Sequence, residues 1–172
     1  MTIVRLASTK DLVEILAIYN DAIVNTTAVY HYNPHTLEMR TEWFEDKVKN
    51  NLPVLVVEVN SQVGGFATYG PFRPWPAYKY SVEHSVYVHT GFRRQGLASM
   101  LMKEIIKHAE QREVHTLLAG IDADNAGSIA LHQQLGFMQV GHFRQVGYKF
   151  EKWLDLQFFQ LILQNALRPT EP

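Results

Sequence analysis

Between Ser81 and Leu101 the sequence reads SVEHSVYVHTGFRRQGLASML: an alternating apolar run, a short basic loop, and at once an apolar helical repeat. A strand running straight into a helix aims the helix's unbonded first N–H groups, and its positive dipole end, at one point in space. A phosphate or pyrophosphate suits that point. Gly96 lets the main chain approach such a group closely, and Ala98 is too small to shield the amides behind it. Arg93 and Arg94 add positive charge. The loop has neither the Gly-Lys-Ser/Thr of Walker loops nor the Gly-x-Gly-x-x-Gly of dinucleotide binders. A plain connection with a solvated arginine pair explains the same residues, so the loop alone leaves both readings open.

Other chemistries find less support. The chain has no cysteine, which excludes disulfides, thiolate metal sites and a cysteine nucleophile. Its eight histidines include no His-Glu-x-x-His pair, and no Gly-x-Ser-x-Gly elbow is present, so no metal and no serine nucleophile are expected. Sixteen basic against seventeen acidic residues, without a basic run, give no nucleic-acid footprint. The N-terminus lacks a signal-peptide profile, and no apolar run approaches ~18 residues, so a cytoplasmic protein without a membrane partner is the expectation.

The elements that must position the loop can be read in order. Ile3–Leu6 predicts a strand, and a helix opens near Ser8, with Asp11 completing a short capping box and Leu12, Ile15, Leu16 and Tyr19 on one face. A second helix carries Leu37, Trp43, Phe44 and Val48. Val54–Val59 and Val63–Tyr69 form a hairpin across Asn60-Ser61-Gln62, and Val82–Val88 is the next strand. The helix after Gly96 runs to about Gln111 with Leu97, Leu101, Ile105 and Ala109 inward. Thr116–Ile121 is a strand, Asn125–Leu135 a helix ended by Gly136, and Phe137–Tyr148 and Trp153–Leu163 close the chain as a hairpin around Phe150-Glu151-Lys152. The order β-α-α-β-β-β-α-β-α-β-β in one domain of 172 residues, with a frayed tail over 168–172, implies an α/β mixed sheet with helices on its faces.

Several motifs then converge on one family. Arg93-x-x-Gly96-x-Ala98 resembles the Arg/Gln-x-x-Gly-x-Gly/Ala signature of the GNAT superfamily, and the run from Asn125 to Phe137 resembles the second half of its acetyl-CoA site. Four ordered segments are similar to the phosphinothricin and methionine sulfoximine N-acetyltransferase branch: Ile18-Tyr19-Asn20, Val82–Val88, Leu131-His132…Gly136-Phe137, and Val146–Lys149 with Trp153-Leu154-Asp155. The likeness spans Arg5 to about Leu163. It implies the GNAT fold, a mostly antiparallel sheet of about seven strands in which the fourth and fifth splay apart to admit the cofactor arm.

The resemblance also implies roles. Main-chain groups of Val86, Tyr87 and Val88 pair with the pantetheine arm of acetyl-CoA, and an N–H near Val88 faces the thioester oxygen. Amides across Arg94, Gln95, Gly96, Leu97, Ala98 and Ser99, with Arg93 beside them, hold the pyrophosphate, and Asn125 lies near the pantetheine or adenosine-phosphate end. An ammonium must lose a proton before it attacks, and Glu83, at the entrance to the splay, is the expected base. Where many superfamily members carry a Tyr to protonate the leaving thiolate, this chain has His132, with Tyr87 and Tyr148 as further options. Arg73 is placed to grip a carboxylate or phosphinate, with Pro74, Trp75 and Tyr78 walling the substrate and Lys79 adding charge. Tyr30, Tyr32 and Val146–Lys149 complete the pocket, and the branch implies a homodimer.

The function expected is acetyl transfer from acetyl-CoA to the amine of a small amino-acid-like molecule such as phosphinothricin, methionine sulfoximine or methionine sulfone. Acetylation of a protein N-terminus or a polyamine is the alternative enzyme, although the aromatic Phe72–Tyr78 loop speaks for a closed pocket rather than an open groove. A non-catalytic acyl-CoA-binding module is the alternative outside enzymes.

Overall fold

The computed structural model describes residues 1–164 and 168–171. Seven strands form one sheet in the order β1-β2-β3-β4-β5-β7-β6: β1 (Thr2–Leu6), β2 (Val54–Val59), β3 (Gln62–Pro71), β4 (Ser81–Val88), β5 (Thr116–Asp122), β6 (Met138–Lys149) and β7 (Lys152–Ile162). Four α-helices join them: α1 (Leu12–Asn25), α2 (Leu37–Lys49), α3 (Leu97–Glu110) and α4 (Ala126–Gln134). All pairings are antiparallel except β4 with β5. This is the mixed, mostly antiparallel α/β architecture expected from the sequence.

Strand alternation divides the core. Val54 and Val56 turn toward α1 and α2, while Leu55 and Val57 turn toward α3. Both hairpins turn on two residues with positive φ, Asn60 and Ser61 in one and Phe150 and Glu151 in the other, the twist that two-residue hairpins require. Gln62 and Lys152 therefore belong to strands rather than to turns.

Three local readings are corrected. The helix expected to open near Ser8 begins with a 3₁₀ turn, Thr9–Asp11, and α1 proper starts at Leu12. Its buried stripe is Leu12, Ile15, Ile18, Ala22 and Ile23, so Leu16 and Tyr19 sit at the margin. In α2, Leu37 and Val48 are exposed, and the core position one turn before Phe44 is taken by Arg40. α3 buries the residues its periodicity named, with Met102 added. The tail as far as 171 is described, with the Thr170 N–H donating to the Tyr80 hydroxyl at 2.9 Å, while 172 lies outside the described residues. Among the described residues no helix is long and apolar enough to cross a membrane.

Candidate active site

β4 and β5 pair only over Ser81–Glu83 against Thr116–Leu118, and beyond that point they part. β3 occupies the other edge of β4 in unbroken register from Pro71↔Val82 to Gly65↔Val88. Phe72 N–H donates to the Ser81 carbonyl and His89 N–H to the Gly64 carbonyl, so odd-numbered residues of β4 spend their main-chain groups on β3. Since a strand's main chain alternates sides, Val86 and Val88 turn theirs toward the gap. The Tyr87 main chain faces β3, and its ring is buried against Tyr19 and Phe66. Two unpaired main-chain positions on an open strand edge will accept an extended amide chain as an added strand.

The gap opens into a cleft of about 630 Å³ lined by Val86, Val88, Arg93, Ala98, Asn125 and the Thr26–Ala28 loop, among others. Gly96 is the N-cap of α3 with φ 78, a left-handed conformation, and a Cβ built there meets nothing within 4 Å. The first turn of α3 has no side-chain cap and no acidic residue, so its leading amides and positive dipole end are uncompensated. Arg94 is also left-handed, at φ 61, which swings the loop around the helix end. Arg93 stands 3.7 Å from Asp21 across the cleft mouth. The Asn125 side chain caps α4, accepting from Ser128 N–H at 3.1 Å. An acyl-CoA fits this donor set: free amides for the diphosphate, an open strand edge for the arm.

At the point of divergence the cleft meets a chamber of about 260 Å³ that contains Glu83, Ser85, Gly120, Asp122 and Tyr30. Burial raises the pKa of the half-buried Glu83, and Arg73 nearby pulls it partway back. A Cβ added to Gly120 would lie 3.2 Å from Glu83 Oε1. The glycine interrupts Leu117-Leu118-Ala119-Gly120-Ile121 because the opposite carboxylate needs that space. Gly120→Ala should therefore leave the fold intact, since the atom met is the tip of a flexible side chain, yet displace the carboxylate. We expect kcat to fall about tenfold with the melting temperature little changed. Unaltered kcat would mean that the carboxylate's position at Gly120 is immaterial.

His132 lies at the inner wall, 1% exposed. Its Nδ1 is 2.7 Å from the Ser128 carbonyl, which can only accept, so Nδ1 carries the proton. Its Nε2, 3.2 Å from Nε2 of His84, then accepts from that ring, which stacks on it at 5.0 Å. The assignment leaves His84 Nδ1 bare, and that atom is buried without a partner among the described residues. Burial depresses both pKa values, that of His84 to about 3, so the pair is neutral. Tyr87 and Tyr30 are each raised to about 12 by burial and hold their protons. Tyr148 is half-exposed against Trp153, away from the gap.

The loop after β3 carries Arg73, whose guanidinium lies 4.7 Å from the Phe72 ring centroid. Phe72 packs on Tyr78 and on Phe158 of β7, which fixes the loop beside Glu83. Pro74 and Trp75 sit at the loop's exposed crest, and Trp75 is 64% and Tyr78 41% solvent-exposed, so their rings border the site from outside. Tyr30 reaches the chamber by packing on Gly147, where a Cβ would come within 2.6 Å of its ring, and the Tyr32 hydroxyl donates to the Tyr148 carbonyl at 2.7 Å. Sequence reasoning missed Asp122, which is 4% exposed, with Oδ1 accepting from Asp124 N–H and Oδ2 buried without a partner among the described residues. A lone acid closing an apolar strand was its only signal.

The chain as a whole is similar to known proteins. A family model described as the Acetyltransferase (GNAT) family covers residues 17–137. L-methionine sulfoximine/L-methionine sulfone acetyltransferase of Pseudomonas aeruginosa is 44% identical over 161 residues, covering 93% of this chain and 94% of the relative. Phosphinothricin N-acetyltransferase of Streptomyces viridochromogenes is 33% identical over 173 residues, covering 98% and 93%. A solved acetyltransferase from Salmonella typhimurium with its cofactor acetyl-CoA superposes with a TM-score of 0.96 at 38% identity, covering 99% and 98%. The chain belongs to the GNAT family of acetyltransferases.

Proposed function

We propose that this enzyme moves an acetyl group from acetyl-CoA to the α-amino group of a small amino acid of the phosphinothricin, methionine sulfoximine or methionine sulfone type. The observation that carries the reading is the meeting of cleft and chamber where β4 leaves β5, with Glu83 at the junction. A thioester bound along β4 supplies the acetyl group. The main-chain groups of Val86 and Val88 hold the arm, and the Val88 N–H faces the oxygen that gains negative charge. Leu97, Ala98 and Ser99 offer their amides to the diphosphate with Arg93 alongside. Glu83 takes a proton from the substrate ammonium, directly or through water, and the freed nitrogen forms its C–N bond as the C–S bond breaks. The attacking nitrogen sheds its second proton as the amide forms; of the two protons it loses, one ends on the departing CoA sulfur and the other passes to solvent, which restores the Glu83 carboxylate. With both ring nitrogens of His132 engaged, a donor role for it requires relay through His84 rather than direct contact.

The chamber is narrow and walled by Tyr30, which supports a small amine over a peptide terminus. We read the protein as a homodimer, because the edge strand β6 leaves Met138, Val140, Phe143, Val146 and Tyr148 exposed. Sedimentation equilibrium that gives a monomer at micromolar concentration would remove that pairing. For the activity, CoA release should be measured over amino acids and their sulfoximine, sulfone and phosphinate analogues, with polyamines and a peptide alongside. Amine-dependent release with the small analogues is expected. Release with peptide or polyamine alone moves the assignment to those substrates, and tight CoA binding without turnover leaves only an acyl-CoA-binding module.

A further inference from the structure

Beneath the sheet, on the side of α1 and α2, a second cavity of about 160 Å³ adjoins the chamber and shares Glu83, Ser85 and Tyr87 with it. At ~30 Å³ per water it has room for about five, or for a phosphinate, sulfonyl or carboxylate group with a carbon or two. Its floor holds two cations. Arg40 is 2% exposed, with its guanidinium 3.9 Å from the Tyr19 ring centroid and 4.5 Å from that of Trp43. One Nη donates to His35 Nδ1 at 3.2 Å, and Nε is buried with no hydrogen-bond partner among the described residues. The Lys47 ammonium donates to the Tyr69 carbonyl at 2.8 Å and lies 3.0 Å from where a Cβ of Gly70 would stand. Gly70 is the register partner of Glu83, so the ammonium sits on the same face as that carboxylate, one strand away.

Neither cation makes an ion pair among the described residues. The groups acting on Arg40 are Tyr19, Tyr87 and His35, and the acid acting on Lys47 is its chain neighbour Asp46. Burial pushes the pKa of both downward and outweighs the opposing pull of Tyr19 and Tyr87 on Arg40 and of Asp46 on Lys47. A buried positive charge is costly unless an anion completes the site. Glu83 does not supply it: on that face its carboxylate leans toward β5, with Oε1 3.2 Å from where a Cβ of Gly120 would stand, and it makes no ion pair with either cation among the described residues.

We infer that the Arg40–Lys47 cavity receives the oxyanionic side-chain end of the amine substrate, opposite the α-carboxylate held by Arg73, with the amine at Glu83 between them. The inference rests on the proposed amino-acid acetyl transfer for the placement of the amine. It makes the two cations specificity-determining: an anionic tetrahedral or carboxylate end is favoured, and the uncharged sulfonyl end is accepted through its oxygens.

The test compares phosphinothricin, whose end is anionic, with methionine sulfone, whose end is not, in wild type, Lys47→Met, Lys47→Arg and Arg40→Lys. The ratio of kcat/KM for phosphinothricin to that for methionine sulfone should fall at least tenfold in Lys47→Met, through KM, and recover in Lys47→Arg. Equal losses on both amines, or a ratio left unchanged, overturn the inference. If Lys47→Met does not fold, Arg40→Lys carries the same comparison. A thermal-shift titration with dimethylphosphinate, which has no amine, separates the two proposals. Stabilisation of wild type but not of Lys47→Met or Arg40→Lys, with no amine turned over, would leave the anion cavity standing and remove the acetyl transfer. Turnover of amines with no shift from dimethylphosphinate and no change of ratio would do the reverse.

Discussion

Replacing Glu83 with Gln is expected to lower kcat on the order of 10²-fold, the usual scale for losing a positioned general base, and to abolish one limb of the pH profile. In the wild type, activity should rise with pH through the Glu83 pKa, which burial places above the ordinary 4.5 of a glutamate. Gln cannot accept the proton, so that limb disappears and only the ionisation of the amine itself remains. Stability should move the other way. A carboxyl whose folded pKa is raised contributes stability that is fully present below its unfolded pKa and lost as pH rises through the folded one. The wild type therefore carries the cost of a shielded carboxylate at pH 8 that the Gln variant does not. The melting temperature of the variant relative to wild type should become more favourable from pH 5 to pH 8. A profile that keeps its lower limb in the variant would take Glu83 out of the proton path, and a general collapse of stability would mean that its role is structural.

How far the site was legible follows from what kind of signal each residue left. Long periodic segments gave their elements away: α3 buries Leu97, Leu101, Ile105 and Ala109 as their spacing requires. Gly96 and its basic flank were legible because a strand running straight into a helix leaves amides free whatever the rest of the fold does. Asp122 and Arg40 left no such trace. Each is one polar residue at a core position, and its meaning depends on a cavity that exists only once non-adjacent elements meet. Arg40 in particular sits in a helix rich in charge, Arg40-Thr41-Glu42, where it passes for a solvated side chain. Gly120 was a readable clue, since a glycine inside an apolar strand marks a close approach, although only the folded chain shows that the approaching atom is Glu83 Oε1. The 3₁₀ turn at Thr9–Asp11 escaped because capping residues mark a helix start without distinguishing its first turn's pitch. Asp11 is also held by Arg5 at 2.8 Å, a contact that sequence spacing does not announce.

Lys149 is the other position where a single substitution should have a large effect, and it reaches the cofactor cleft from a distance. It ends β6, is 5% exposed, and makes no ion pair among the described residues. Its ammonium instead donates to three carbonyls, those of Ile23 at 2.5 Å, Thr26 at 2.8 Å and Val29 at 2.7 Å. These carbonyls lie at the C-terminal end of α1 and in the loop that follows, where acceptors have no helical partner and the dipole is negative. One side chain thereby fastens that loop to the β6–β7 hairpin, and Thr26, Thr27 and Ala28 of the same loop line the cleft proposed to take acyl-CoA. Lys149→Met keeps the stem and removes the donors. Leaving buried acceptors unmet costs roughly 1–3 kcal/mol each. With partial relief from water we expect a net loss of about 3 kcal/mol, or ~6–12 °C in melting temperature for a chain of this length. A purely structural loss would stop there. Because the tethered loop is a wall of the cleft, the KM for acetyl-CoA should also rise several-fold at temperatures where the variant is folded, while the KM for the amine changes less. Arg in its place should not rescue either effect, since a planar fork cannot direct three donors to carbonyls converging on one point. A melting temperature within 2 °C of wild type would show that the three carbonyls find other donors, and an unchanged acetyl-CoA KM would show that the loop keeps its place without the lysine.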